Sequence, residues 1–582
     1  MCTLFYFNLF FFFLSFPFQY YIVLLLPPSP SFFRLSSLAL FSNSIYIQYS
    51  KMSTIIVICS IVTLCVSYAI LRSLTDTSRL SVPLSITLIV SLFLPLSVTF
   101  LIPIDINHSI PILWRANYWT TFMLTWFILP FWQYYLTSGE FNTVLRVKSS
   151  LLQLCKFLGL LIILSIVGLF WLIIRGMFQL SYISATIVTA SHCYSLLMVV
   201  WLMMHGLIHI PKRFFTWSYP GKLELLYRKV NTLETERNDA LFEYKEICGY
   251  INGLEVGNDV ERRDAVLKLK SKVPPEFEHI RDVTFHEELT LVKAHELIKK
   301  AEWNYLHNDT VFRDTLADIQ YYEKAVMDEG IFYKYIMPSF NSILFVLFTV
   351  IAFIVLESEI MHGTRFSILG WIIYGQYTAI IMSFVLVLMM ICSLKTLSLI
   401  KLFDIYRVEF NGKSDPVSTI FFISYACRLT IPLGYNFMIM LNEKVVGDSS
   451  FLAFVNGNLK LIPIGVILND IIPRLSIVPV LLSIFGIWGK LKRWMDGWID
   501  IDLDIGNDDG IGGVQSGKVI AHRYINDGFL NDENTKLSIW RQITFTLQNG
   551  VYRLRNMLVR NRGTQLELDL DYDDYDLDNR IV

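Results

Sequence analysis

The chain has 582 residues, 54% of them hydrophobic and 17% charged, and its formal net charge is −1. This balance gives no indication of nucleic-acid binding, and eight scattered cysteines without a C-x-x-C pair favour neither a disulfide framework nor a zinc site. We therefore predict no nucleic-acid partner, no metal and no cofactor. Apolar runs of about 20 residues, enough for a helix to cross ~30 Å of hydrocarbon, recur along the chain and predict an all-α fold, a polytopic transmembrane helix bundle in a lipid bilayer.

The first 51 residues differ in composition from the rest of the chain. They contain no Asp, Glu or Gly, and a clean apolar run follows directly after Met52. Pro17 and Pro27-Pro28 interrupt the apolar stretch, and no basic residue precedes it, which argues against a signal peptide. We expect residues 1–51 to be a non-native extension before a start at Met52, or an extra amino-terminal hydrophobic segment.

From Met52 onward the chain contains nine predicted membrane spans. Spans one to five lie within residues 52–213, and spans six to nine lie within residues 338–493. Their approximate bounds are 53–71, 82–103, 117–137, 157–174, 184–210, 338–357, 371–394, 417–441 and 474–488.

Lys and Arg are concentrated in alternate connections between these spans, for example at Lys212 and Arg213. The positive-inside rule then predicts an outside or luminal amino terminus and a cytosolic carboxyl terminus, in agreement with an odd number of spans. Asn107-His108-Ser109 is a candidate glycosylation sequon in an outside connection. It lies only a few residues beyond the second span, where the transferase has little clearance.

Residues 214–337, between spans five and six, are polar and charged and are predicted to form a cytosolic coiled-coil hairpin. Pro274-Pro275 separates its two helices. The first has an apolar seam with one polar member, Arg237, so Arg237→Leu is expected to raise the thermal midpoint. The hairpin is either a structural stalk or a docking surface for cytosolic proteins. The two stripes are Leu226, Val230, Leu233, Arg237, Ala240, Tyr244, Ile247 and Ile251, and then Phe312, Leu316, Ile319, Tyr322 and Val326.

The tail, residues 494–582, contains a predicted basic amphipathic helix near 540–558 and an acidic end. The amphipathic helix lies on the anionic inner leaflet or packs against the hairpin. Gly512 to Lys518 begins a P-loop pattern, but Val519 replaces the required Ser or Thr. His205 and His209 are four residues apart without an apparent third metal ligand.

Arg428 lies mid-way along the eighth span, where a charge costs roughly 2.5–3.5 kcal/mol on insertion scales. No acidic residue occupies the middle of another predicted span. The guanidinium must therefore find carbonyls, hydroxyls, water or an anionic ligand. We expect a polar ligand-binding pocket for an anionic lipid or a small carboxylate-bearing ligand; structural bonding to backbone carbonyls is the alternative. The predicted residues are Arg428, Thr430, Pro432, Gly434, Asn436 and Gln376.

Several segments resemble the limb-region-1 (lipocalin-receptor-like) family of multi-pass membrane proteins, and one branch of it most closely. The clearest is Cys427–Phe437, which is similar to C-R-L-T-x-P-L-x-x-N-F. Further matching segments are Trp114-Arg115, Tyr118–Thr120, Leu124–Trp126, Leu129-Pro130, Ser138-Gly139, Ile210–Arg213 and Gly517-Lys518.

The resemblance covers about residues 52–525. It implies nine spans, an outside amino terminus, a cytosolic coiled-coil loop and no enzymatic activity. Members of the wider family resemble receptors for small-ligand carriers, a lysosomal cobalamin export factor and modulators of receptor signalling, so the fold alone does not fix the function. We expect a non-catalytic receptor or a signalling or trafficking scaffold in the plasma membrane or an endolysosomal membrane. A transporter or lipid- or small-ligand-binding protein with a site around Arg428 is the alternative.

Overall fold

The computed structural model describes part of the chain. The described residues are 42–174, 180–215, 219–255, 260–280, 290–327, 337–364, 366–373, 378–400, 408, 410, 412, 414–441, 443–447, 449–459, 463–485 and 513–529. Residues 1–41, Gln376, the predicted amphipathic helix near 540–558 and the acidic end lie outside them.

The described residues form an all-α structure, as predicted. The helices of the amino-terminal half are α1 Ser42–Leu74, α2 Val82–Asn107, α3 Pro111–Met123, α4 Leu129–Thr137, α5 Thr143–Ile174, α6 Leu180–Phe214, α7 Tyr219–Gly253, α8 Val260–Lys270 and α9 Leu291–Met327. The remaining helices are α10 Met337–Ile360, α11 Ile368–Ile372, α12 Thr378–Ser398, α13 Pro416–Arg428, α14 Thr430–Met440, α15 Glu443–Val446, α16 Ser450–Leu459, α17 Pro463–Arg474, α18 Ile477–Ile484 and α19 Val514–Asn526.

Six helical stretches among the described residues are long and apolar enough to cross a membrane: Met52–Leu74, Val82–Asn107, His192–Lys212, Pro338–Ile360, Thr378–Ser398 and Pro416–Met440. They correspond to the first, second, fifth, sixth, seventh and eighth predicted spans. The third predicted span is α3 and α4 joined by a π-helical turn, Leu124–Ile128, and the fourth lies in α5. The ninth predicted span, 474–488, overlaps the last residue of α17 and all of α18, and its residues 486–488 lie outside the described part of the chain. Nine crossings therefore stay a prediction.

The α13–α14 segment lies at the centre of the bundle. About 72% of its most apolar window is buried, against 11% for α1 and 6% for α10. Helices α2, α6 and α12 pack around it, and they share one continuous apolar core with it. The peripheral helices α1 and α10 leave most of their apolar side chains exposed or half-buried, as expected for helices that face lipid.

Contacts between helix ends agree with the predicted alternation of spans. At one end of the bundle, the Ser414 amide donates to the carbonyl oxygen of Leu74, the last residue of α1. At the other, Asp105 near the end of α2 contacts Ser449, which follows α14. The carboxyl end of α1 therefore lies beside the start of α13, while the carboxyl ends of α2 and α14 lie together. Which end is cytosolic stays a prediction from the positive charges.

The polar hairpin consists of α7 and α9, which run antiparallel. Arg237 contacts Asp309, and Tyr244 stacks on Tyr305. The residue numbers of the contacting pairs therefore increase along α7 as they decrease along α9. The predicted seam is largely buried; Leu226 and Tyr322 are half-buried, and Val326 is exposed. Whether the two helices supercoil as a coiled coil is still a prediction.

A tail helix, α19, packs against α7 and completes the hairpin. A Cβ atom added to Gly517 would lie 1.8 Å from Tyr227 O, so only a glycine allows this close approach. Ala521 of α19 is buried with Val230 and Phe312 in one apolar cluster. Gly517, the last glycine of the P-loop-like pattern, thus has a packing role.

Arg237 is part of a buried ionic and aromatic cluster, which the sequence does not reveal. Its Nε lies 2.7 Å from Asp309 Oδ1, and both side chains are about nine-tenths buried. Arg313 binds the other oxygen of Asp309 at 2.8 Å. The Arg237 guanidinium carbon also lies 5.0 Å from the Phe529 ring centroid, which connects the tail to the hairpin. The expectation that Arg237→Leu raises the thermal midpoint is therefore reversed.

We predict that Arg237→Leu lowers the stability of the hairpin by about 3 kcal/mol, because it breaks a buried ion pair and leaves Asp309 partly uncompensated. The measurement is the denaturant midpoint for proteolytic cleavage within α7 of the full chain in detergent. Arg228→Leu is the matched control, since Arg228 forms an exposed pair with Glu224 that is worth ~0–1 kcal/mol. Equal midpoints for the two variants would refute the role assigned to Arg237.

Candidate functional site

Arg428 sits at a break in the central segment. Helix α13 ends at Arg428 and α14 begins at Thr430, with Leu429 between them. Pro432 has no N–H, so it cannot bond the carbonyl of Arg428 as a helical residue would. The eighth predicted span is therefore interrupted at the residue that carries the charge.

The guanidinium of Arg428 reaches the π-helical turn between α3 and α4. Its Nη2 donates to Thr125 O at 3.4 Å. That carbonyl is open because the Leu129 N–H bonds Leu124 O and Pro130 has no N–H. One of the groups predicted to accept a hydrogen bond from the guanidinium, a backbone carbonyl, is therefore present.

Two aromatic rings also contact the Arg428 side chain. Its guanidinium carbon lies 5.2 Å from the Trp126 ring centroid and 5.1 Å from that of Tyr425. Cation–π contacts of this kind contribute ~0.5–2 kcal/mol, more where water is excluded. Sequence reasoning missed both rings as partners, although Trp126 belongs to a segment that carries the family resemblance.

The other predicted site residues on α14 are occupied with local bonds or packing. Thr430 Oγ1 donates to Cys427 O at 2.5 Å. A Cβ atom on Gly434 would lie 2.9 Å from the Ile102 side chain, and Pro432 is buried. Gly434 therefore allows α2 to approach α14 closely.

Asn436 faces a different neighbour from Arg428. It lies about 12 Å further along the helix, and its Nδ2 donates to Glu359 Oε1 on α10. Both side chains are fully buried. The structure thus joins Arg428 to the third predicted span and Asn436 to the sixth. Glu359 was missed because it lies two residues beyond the predicted end of its span.

A second buried carboxyl group lies at the same end of the bundle. Asp105, near the end of α2, is 2% exposed. Four donors reach its two oxygens: Ile110 N, Phe451 N and the hydroxyls of Ser449 and Ser450. This arrangement ties α2 to the start of α16. Asn107, the candidate glycosylation site, is exposed nearby, and its Nδ2 donates to Pro103 O at 2.9 Å.

His205 and His209 lie one turn apart near the carboxyl end of α6. His205 Nδ1 lies 2.7 Å from Ser483 Oγ on α18, and the rings of His205 and His209 are 6.2 Å apart. Within the part of the chain that the structure describes, no group of three or more His, Cys, Asp and Glu residues is placed to hold a metal ion.

The polar hairpin is fixed to the bundle at the connection between α4 and α5. His295 on α9 is buried, stacks on Phe141 and bonds Gly139 O through Nδ1 at 2.6 Å. A Cβ atom on Gly139 would lie 2.0 Å from Val292 O, so the two backbones are in close contact. Lys299 Nζ donates to Ser138 O at 2.9 Å. We call this contact the junction.

Burial sets the protonation of the junction. It lowers the pKa of His295 to about 4, with nearby Lys299 and Lys272 acting in the same direction. The neutral ring then donates from Nδ1 to Gly139 O and accepts from Lys272 Nζ at Nε2, 2.8 Å away. Burial, with Arg146 nearby, also lowers the pKa of Lys299 to about 8.

Relatives of known name match the chain over part of its length. It is 23% identical over 394 residues to the G-protein coupled receptor-associated protein LMBRD2 of Gallus gallus, covering 57% of each chain. It is 25% identical over 390 residues to the protein of that name from Homo sapiens, covering 56% of each. A Dictyostelium discoideum relative, LMBR1 domain-containing protein 2 homolog A, is 21% identical over 435 residues, 67% of this chain and 59% of that one.

The chain thus spans less than two thirds of the length of these relatives, and none of their names denotes an enzyme. No solved structure gives a significant match. The family model described as LMBR1-like membrane protein matches residues 52–487, three quarters of the chain, and confirms the resemblance carried by the Cys427–Phe437 motif. Together with the six long apolar helices, this match places the chain in the LMBR1-like family of integral, multi-pass membrane proteins.

Proposed function

We propose that this chain is a non-catalytic, receptor-associated scaffold whose hairpin holds cytosolic proteins at the membrane. The names of its relatives support association with G-protein coupled receptors. The positive-inside pattern supports an outside or luminal amino terminus with the hairpin and carboxyl terminus in the cytosol. The membrane is the plasma membrane or an endolysosomal membrane.

The observation that carries the proposal is the attachment of the hairpin at two places. The junction joins α9 to the α4–α5 connection through His295 and Gly139. The tail helix α19 joins the other part of the hairpin through Gly517 and the Arg237 cluster. The junction thus fixes the helix pair relative to the bundle, and α19 braces the pair, so that its outer face is held in place as a docking surface requires.

Phe242 on α7 offers a residue for testing that outer face. Its side chain is 70% exposed, although an aromatic ring of this size is normally at least half-buried. Exposed aromatic side chains are enriched among the residues that carry binding energy in interfaces.

We predict that Phe242→Asp releases cytosolic partners while the chain still co-purifies with a G-protein coupled receptor, because the change leaves the bundle intact. The measurement is quantitative affinity purification of the full chain from cells, with a receptor panel and label-free mass spectrometry. Val519→Asp is the matched control, since Val519 is equally exposed on α19. The scaffold function would be contradicted if Phe242→Asp retained every cytosolic protein that the wild type binds. It would also be contradicted if no receptor co-purified with the wild type.

A second candidate function, binding of an anionic lipid or carboxylate-bearing ligand at Arg428, is favoured by one observation. The π-helical turn that Arg428 contacts is a feature often found at functional sites.

For this candidate we predict that Arg428→Lys loses an anionic lipid that co-purifies with the wild type, because lysine keeps the charge but not the planar fork. Native mass spectrometry of the detergent-purified chain measures this loss. Arg474→Lys, an exposed position, is the control. Identical lipid occupancy in the wild type, Arg428→Lys and Arg428→Leu would leave only the structural role of Arg428.

A further inference from the structure

The contact between Glu359 and Asn436 has two buried oxygen atoms without a hydrogen bond. Asn436 Nδ2 donates to Glu359 Oε1, and both side chains have no exposed surface. Glu359 Oε2 and Asn436 Oδ1 receive no hydrogen bond from any residue that the structure describes. Both atoms are acceptors, so a hydrogen-bond donor or a cation between them would satisfy the pair.

Asp105 shows what a buried carboxylate requires in this bundle. Four donors reach its oxygens, two of them backbone amides and two of them serine hydroxyls. Glu359 is more deeply buried and has one donor. An ionised carboxylate with a single donor in an apolar interior would be far from compensated.

The charged and titratable groups near Glu359 bind other atoms. His362 Nδ1 bonds the backbone oxygen of Glu359, and its Nε2 lies 3.1 Å from Asp470 on α17. The guanidinium of Arg474 binds the carboxylate of Asp470 at 2.9 Å. Glu357, on the same helix as Glu359, accepts from the Ile368 amide.

Two groups from the centre of the bundle complete the surroundings. His192 of α6 contacts Tyr435, the neighbour of Asn436, edge to face, with the ring centroids 4.4 Å apart. Arg428 lies about two helical turns before Asn436 and bonds Thr125. Neither of these contacts supplies a donor to Glu359 Oε2.

We propose that Glu359 and Asn436 form a proton-binding site within the membrane part of the protein. Glu359 carries a proton on Oε2 and donates it to Asn436 Oδ1, while Asn436 Nδ2 donates to Oε1. The neutral acid and the amide then form a ring of two hydrogen bonds that uses both unmatched atoms. The proton comes from water and returns to it, and no other bond changes.

Loss of this proton would place a charge in the contact between α10 and α14. Helix α10 is the least buried of the six long apolar helices and begins ten residues after α9 ends, so it connects the site to the hairpin. Protonation therefore holds α10 against the bundle, and deprotonation releases it. Buried ionisable residues in membrane segments typically mark such functional sites.

The test is infrared spectroscopy of the full chain in lipid nanodiscs at neutral pH, with isotope-labelled glutamate to assign the bands. We expect a carbonyl stretch of a protonated glutamic acid in the wild type and its loss in Glu359→Gln. The band is expected to persist in Asp105→Asn, the matched control, because that carboxyl group has the donors for the charged form. Absence of a protonated glutamate band from the wild type would overturn the proposal.

Thermal unfolding provides a second measurement. Glu359→Gln is expected to retain the thermal midpoint of the wild type, because the glutamine amide replaces the acid O–H as donor to Asn436 Oδ1. Failure of this variant to fold would count against a neutral acid. A rise of the wild-type midpoint in NaCl or KCl that is absent from Glu359→Gln, with choline chloride as the salt control, would assign the site to an alkali cation and overturn the proton.

Discussion

Polar groups buried in an apolar bundle must find their partners within the protein, because lipid offers none. The central segment α13–α14 is the most buried of the long apolar helices and carries Arg428 and Asn436. Arg428 bonds the π-helical turn before α4, and Asn436 bonds the end of α10. The polar residues of the central segment thus select the helices that surround it, since apolar packing alone is equally satisfied by lipid.

The same requirement governs the polar hairpin. Arg237 and Asp309 face each other across α7 and α9, and aromatic rings from the hairpin and the tail close around them. His295 is neutral and so can be buried against Gly139 O at the junction. Buried polar contacts therefore fix both the register of the hairpin and its attachment to the bundle.

Local patterns predicted the helices and the two hairpin stripes, because hydrophobic periodicity acts over a few residues. The lone charge also indicated that Arg428 needs carbonyls, hydroxyls, water or an anionic ligand, and a carbonyl is one of the partners found. The identity of that partner could not be predicted, since Thr125 lies 303 residues from Arg428 in sequence. Arg237 was misjudged for the same reason: Asp309 is 72 residues away, and a polar seam residue looks unpaired until the helices are placed side by side.

The contacts at the junction predict that the hairpin and the bundle form one rigid body, which a distance measurement between the two parts tests. Spin labels introduced as non-canonical amino acids at Val144 on α5 and Phe242 on α7 replace exposed side chains on the two parts. Pulsed electron paramagnetic resonance of the full chain in nanodiscs is expected to give one narrow distance distribution. A broad distribution, or several separate distances, would show that the hairpin moves independently of the bundle and that the junction does not fix it.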